Sequence, residues 1–187
     1  GKELDQALED ISHYGYRGTE TFAAVVDDFA GREDELRDKF MSHNLQLTAL
    51  YGGGDMHIAG KEQEIIDWNI KIAKFIQSMG ADRLVLGPGR PRPEGGPTKQ
   101  HIETMAAVAT EIASASLDYG VIAGIHPHWN TPVQERDEIS RIFDAVDTDL
   151  VKMVLDPAHI AKANADPVEV CETYGDIISY VHIKDYS

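Results

Sequence analysis

Apolar and polar positions follow two periods along this chain, and the two take turns. Residues 3–13 place Leu4, Ala7, Leu8 and Ile11 on one face, the spacing of an amphipathic helix. Residues 14–22 form a short strand candidate. Residues 32–43 return to helical spacing with Leu36, Phe40 and Met41. Residues 45–51 form a second strand, closed by Gly52, Gly53 and Gly54. The clearest helix covers 61–79, where Ile65, Ile66, Ile72, Ala73, Ile76 and Met79 recur and Gly80 is a C-terminal stop. A third strand covers 82–86 and leaves through Gly87, Pro88 and Gly89. Residues 98–119 are helical, with Thr98 as a cap and Gly120 as the stop. A strand at 121–126, a helix at 134–146 and a strand at 150–155 follow. A helix at 166–174 has Pro167 in its first turn, and a last strand covers 177–184.

Six helix–strand pairs in succession imply a parallel sheet with right-handed crossovers. Runs such as VIAGI (121–125) and MVL (153–155) are apolar on both faces, as buried parallel strands require. The fold class is therefore α/β, either an open doubly wound sheet or a closed barrel. No G-x-G-x-x-G follows a strand, which removes the main support for a dinucleotide fold. A complete (β/α)8 barrel takes about 250 residues. The expectation is one domain over residues 1–187: an incomplete barrel of about six parallel strands, lacking the first strand and the last strand and helices. The chain begins at Gly1 on a helical pattern and stops at Ser187 just after a strand-like run, so both ends read as cut.

Composition narrows the class. Of 187 residues, 42% are hydrophobic and 26% charged, a balance that opposes intrinsic disorder. No apolar run approaches the ~20 residues of a membrane span, and no leader is visible. One cysteine, Cys171, excludes an internal disulfide and weakly fits a reducing, cytoplasmic setting. The net charge of −15 repels phosphate backbones, so nucleic acid is not the expected partner.

In parallel α/β proteins the chemistry collects where strands end. Glu20 follows strand one, and Tyr51 with the glycines follows strand two. Arg90 and Arg92 follow strand three, His126 and His128 strand four, Asp156 and His159 strand five. His182, Lys184 and Asp185 follow strand six. Asp156 and His182 each close an apolar strand and offer half of a divalent-metal site with mixed N/O ligation; each alone also reads as a helix cap or a core histidine. His126 and His128 share strand parity, so both can face one side as ligand, base or hydrogen-bond donor. His159 can orient substrate or carry a proton. Lys184 can stabilise an enolate oxygen, or simply pair with Asp185. Glu20 can bind a hydroxyl or act as an acid. Arg90 and Arg92 can grip a carboxylate or phosphate. Trp129 offers a flat wall for a sugar ring.

The segments AGIHPHWNTPVQ, VLDPAHIAKANADP and YVHIKD, in that order on strands four to six, resemble the xylose-isomerase-like TIM-barrel family. The GPGRPR loop and the H-P-H-x-x-T-x-x-Q run are most similar to its inosose-dehydratase-like branch. The resemblance covers the whole chain. It implies a divalent metal ion (Mn, Co, Mg or Zn) on Asp156 and His182, with His159 contacting substrate. Two departures accompany it. The family's metal-binding glutamate on strand four falls at Gly124, so His126 is the candidate replacement. The family's last glutamate ligand comes from an eighth strand that this chain does not contain. The resemblance implies a metal-dependent lyase acting on a sugar- or inositol-derived polyhydroxy ketone, by α-proton abstraction and loss of water. His126, His128, His159 and Lys184 are the candidate catalytic residues; Glu20, Arg90, Trp129 and Asp185 are those for substrate. The alternatives are a ketose isomerase or epimerase, a non-catalytic carbohydrate-binding fragment, and, against the charge, an endonuclease IV-like enzyme. A homo-oligomer that covers open sheet edges is also expected.

Overall fold

The computed structural model describes residues 2–184. Six strands lie in one sheet: β1 (Gly18–Phe22), β2 (Gln46–Gly53), β3 (Arg83–Gly87), β4 (Ile122–Ile125), β5 (Lys152–Leu155) and β6 (Ile178–Val181). Every neighbouring pair is parallel and the spatial order is the chain order, β1 through β6. A doubly wound sheet reverses its order once. This one never does, which makes it six consecutive strands of an incomplete (β/α)8 barrel.

Helices pack on the outer face: α1 (Lys2–His13), α2 (Val25–Asp28), α3 (Glu33–Ser42), α4 (Glu62–Ser78), α5 (Lys99–Leu117), α6 (Arg136–Ala145), α7 (Pro157–Lys162) and α8 (Pro167–Tyr174). The large core lies between sheet and helices, with Phe40, Leu50, Ile72, Ile76, Leu84, Met105, Ile112 and Ile125 fully buried. A second, small cluster of Ala49, Val85 and Val154 fills the concave face, flanked by Tyr51 and Tyr180. Thr98 caps α5 as expected: its Oγ1 accepts the His101 backbone N–H, while His101 Nδ1 accepts that of Thr98, worth about 1 kcal/mol.

Three boundaries move. Residues 14–17 are a turn rather than the start of β1, with Tyr14 exposed and Gly15 at φ 85°. β6 begins only after a 3₁₀ turn at Gly175–Ile177 and ends at Val181. α2 and α7, four and six residues long, are too short to write a helical period into sequence. Among the described residues no helix is long and apolar enough to cross a membrane.

Candidate active site and metal centre

The strand ends are held past the strands themselves. The His126 backbone N–H donates to the Leu86 carbonyl at 3.0 Å, and that of His182 to Leu155 at 2.8 Å. Both imidazoles thereby project over the concave face from the ends of β4 and β6, the strands on either side of β5. Between them, at the end of β5, Asp156 is fully buried. Its Oδ1 caps α7 by accepting the His159 N–H at 3.1 Å. Its Oδ2 faces four side-chain nitrogens: Lys184 Nζ at 2.6 Å, His126 Nε2 at 3.6 Å, His159 Nε2 at 3.7 Å and His182 Nδ1 at 3.8 Å. Lys184 meets it as a close ion pair. Burial works to raise the Asp156 carboxyl. The Lys184 ammonium and the His159 N–H outweigh it and hold the carboxyl below its usual range.

Outer hydrogen bonds assign the tautomers. His126 Nδ1 lies 3.0 Å from the Pro127 carbonyl, so it carries the proton and Nε2 keeps its lone pair. His182 Nε2 lies 2.9 Å from Glu20 Oε2, so it donates to that carboxylate and Nδ1 keeps its lone pair. The two lone-pair nitrogens stand 2.8 Å apart. Neutral rings in this arrangement repel unless a proton or a metal cation is shared. With Asp156 Oδ2 they make an N₂O donor set, each imidazole braced on its far side by an acceptor, as metal-ligating histidines are. His126, Asp156 and His159 also bring their ligand atoms within 4.8 Å of one another. Both triads fit a divalent ion. Burial, then the neighbouring His182, push His126 down to about 3. Burial, then His128, push His159 down to about 4.

A cavity of about 540 Å³ opens above the cluster, lined by Glu20, Arg90, His126, His128, His159, His182 and Lys184 among others. The structure therefore brings together every expected site residue except three. Trp129 does not line the cavity: the chain turns at Asn130 (φ 62°), and Lys162 Nζ lies 4.0 Å over the indole ring. The carbonyl of Trp129 serves the site instead, 2.6 Å from His128 Nδ1. Arg92 points away and is spent on Glu135 and on Glu138 of α6, at 2.8 and 2.7 Å. Asp185 lies outside the described residues. Lys184, read as a possible partner of Asp185, pairs with Asp156 and donates to His159 Nε2 at 2.8 Å.

Sequence reasoning assigned no role to Tyr51. Its ring stands edge-on to His126, with centroids 5.6 Å apart, and lines the cavity; burial pushes its hydroxyl up to about 12, so it stays a donor. Gly87 makes room for it, since a Cβ there would fall 2.7 Å from the Tyr51 oxygen. The signal was present in a polar residue closing an apolar strand. Gly124 is explained by packing: a Cβ there would sit 3.0 Å from Val154 Cγ2, so Val154 takes up the space that a larger side chain would need.

Comparison with known proteins agrees with this geometry. The family model described as "Xylose isomerase-like TIM barrel" matches residues 8–187. An inosose dehydratase from Mesomycoplasma hyopneumoniae is 26% identical over 97% of this chain and 62% of its own length. The chain thus spans about three fifths of that curated relative. Among solved structures, a sugar phosphate isomerase/epimerase from Parabacteroides distasonis superposes with a TM-score of 0.79 at 15% identity, covering 98% of this chain and 70% of that one. The IOLI protein, solved with a bound zinc atom, superposes with a TM-score of 0.78 at 22% identity, covering 98% and 67%. With six sequential parallel strands, a polar cluster at their C-terminal ends and a model match over nearly its whole length, this chain belongs to the xylose isomerase-like TIM barrel family.

Proposed function

We propose that this chain carries the metal-binding and catalytic part of a lyase that removes water from a sugar- or cyclitol-derived polyhydroxy ketone. Asp156 Oδ2, His126 Nε2 and His182 Nδ1 would hold the divalent ion, and two nitrogens with one oxygen suit Zn, Co or Mn better than Mg. When bound, such an ion supplies Lewis-acid polarisation of a ketone oxygen. His159, held neutral by burial, accepts the proton from the α-carbon on Nε2 once the Lys184 ammonium turns from it to the ketone oxygen. The electron pair of that C–H bond forms the new double bond, and the C–O bond to the β-hydroxyl breaks. Tyr51, a protonated phenol in the cavity wall, supplies the proton with which the hydroxyl departs as water. The Lys184 ammonium, 2.8 Å from His159 and 2.6 Å from Asp156, favours developing negative charge on the ketone oxygen.

The observation that carries this reading is the buried Asp156 Oδ2, toward which the lone-pair nitrogens of His126 and His182 converge at 3.6 and 3.8 Å. The inosose dehydratases among the relatives support the reaction class. Isomerisation or epimerisation shuttles a proton between or across carbons and is helped by a carboxylate at position 124, where this chain has glycine beneath Val154. The test titrates Zn, Co and Mn into chelator-treated chain by calorimetry, alone and as Asp156→Asn. Wild type should bind one ion, and the variant at least tenfold more weakly while keeping its fold, because asparagine still caps α7. Equal affinity in the two would remove the metal from the site. In D₂O, turnover of a polyhydroxy ketone should release water; deuterium incorporation into an otherwise unchanged or isomerised sugar would identify the isomerase instead.

A further inference from the structure

We infer that the occupant of this cavity is an anion: a polyhydroxy ketone that also carries a carboxylate or phosphate, gripped by Arg90. This rests on the proposed reading of the same site and narrows its substrate class. Arg90 lines the cavity, and among the described residues no carboxylate oxygen comes within 4.0 Å of its guanidinium. Arg32, Arg37, Arg83, Arg92, Arg136 and Arg141 each have such a partner, and Arg17, which has none among the described residues, does not line the cavity. Arg90 is nevertheless placed by the fold at both ends. Its backbone N–H donates to Asp55 Oδ1 at 3.0 Å. Its NH2 group lies 3.1 and 3.2 Å from the two ring nitrogens of His128. The Nδ1 proton of His128 goes to the Trp129 carbonyl, and the Arg90 NH2 group, equidistant from the two ring nitrogens, lies over the face of this neutral ring. Thr131 Oγ1 donates to the His128 backbone carbonyl at 2.6 Å and holds the main chain there. A guanidinium held by a neutral ring keeps its charge and most of its donors for something else.

The charge of the cavity points the same way. The carboxylates at the cluster are already engaged, Glu20 with His182 and Asp156 with Lys184. Arg90 is thus the cationic side chain at this cavity that has no ion pair among the described residues. In a chain whose net charge is −15, an unpaired guanidinium facing a cavity is a local exception that favours anions. A neutral cyclitol ketone would leave the Arg90 charge unanswered; a keto acid or sugar phosphate would answer it with a charge-assisted, bidentate contact.

The test uses three probes on one carbon skeleton: glycerol, glycerate and glycerol 3-phosphate. Each is titrated into the chelator-treated 187-residue chain, with binding read from the imidazole proton signals of His128 and His159. Wild type should bind at least one anionic probe at least tenfold more tightly than glycerol, and Arg90→Gln should remove that preference. Arg90→Lys keeps the charge but not the planar fork, so it should keep part of the anion preference that Arg90→Gln loses. Metal affinity, measured separately, should be unchanged in Arg90→Gln, so loss of the metal reading and loss of this one are told apart. Equal affinity for glycerol and both anions, or an anion preference that survives in Arg90→Gln, would overturn the inference.

Discussion

His126 and His159 sit within one cluster with Asp156, and burial strips both rings of the water that would stabilise their charged forms. Their folded values lie near 3 and 4, below the ordinary 6.5 that an unfolded chain restores. Between those limits the unfolded chain binds more protons than the folded one. Stability therefore rises with pH across the window: the contribution is complete above 6.5 and is lost as pH falls through the folded values. The melting temperature of chelator-treated chain should drop between pH 6.5 and 4, and the drop should be shallower in His159→Gln. A slope identical in the two proteins would show that His159 is not held neutral by burial. Candidate residues of this kind were legible because a charged or polar side chain closing an apolar strand has few structural reasons to be there. Asp156 shows the limit of that reading. Cap and ligand looked like competing roles, yet its two oxygens divide them, Oδ1 on α7 and Oδ2 toward the imidazoles.

At the scale of elements, the loop from β3 to α5 is tied to α6 by Arg92. Glu138 is nearly buried, and its Oε1 takes the Arg92 contact while Oε2 accepts the Gln134 and Glu135 N–H groups. Removing Arg92 leaves Glu138 Oε1 buried without that partner. Arg92→Ala should cost about 1–3 kcal/mol in urea denaturation, and it should weaken anion binding through Arg90, which shares the loop. Unchanged stability would show that the pair is a surface ornament. The sequence could not separate Arg92 from Arg90. Both stand in one Pro/Gly-rich loop two residues apart, and only the turn of that loop sends one guanidinium to α6 and the other over His128. The helices α2 and α7 escaped notice for a different reason, since four or six residues complete barely one turn or two.

For the whole molecule, a net charge of −15 on 187 residues is self-repelling. Most ion pairs on the surface are exposed and worth little, about 0–1 kcal/mol each, so screening relieves more repulsion than it removes attraction. Thermal stability should rise as ionic strength goes from about 10 mM to about 150 mM, where the Debye length falls from about 30 to about 8 Å. A melting temperature that falls over that range would mean that attractive pairs dominate the surface. The same screening should weaken binding of anionic probes to Arg90, the opposite sign at one site of the same protein.

The amino-acid sequence alone determined the alternation of helix and strand, the parallel class of the sheet and the short roster of polar residues at strand ends, because backbone period and apolar burial are local properties written within a few residues of each other. The tertiary structure decided which of those ends converge. It placed Trp129 under Lys162 and Arg92 on α6, brought the unassigned Tyr51 against His126, and filled the space at Gly124 with Val154. Those outcomes depend on how the sheet coils and how the loops close, which bring together side chains as distant in the chain as Glu20 and His182, and no local pattern encodes a contact between them.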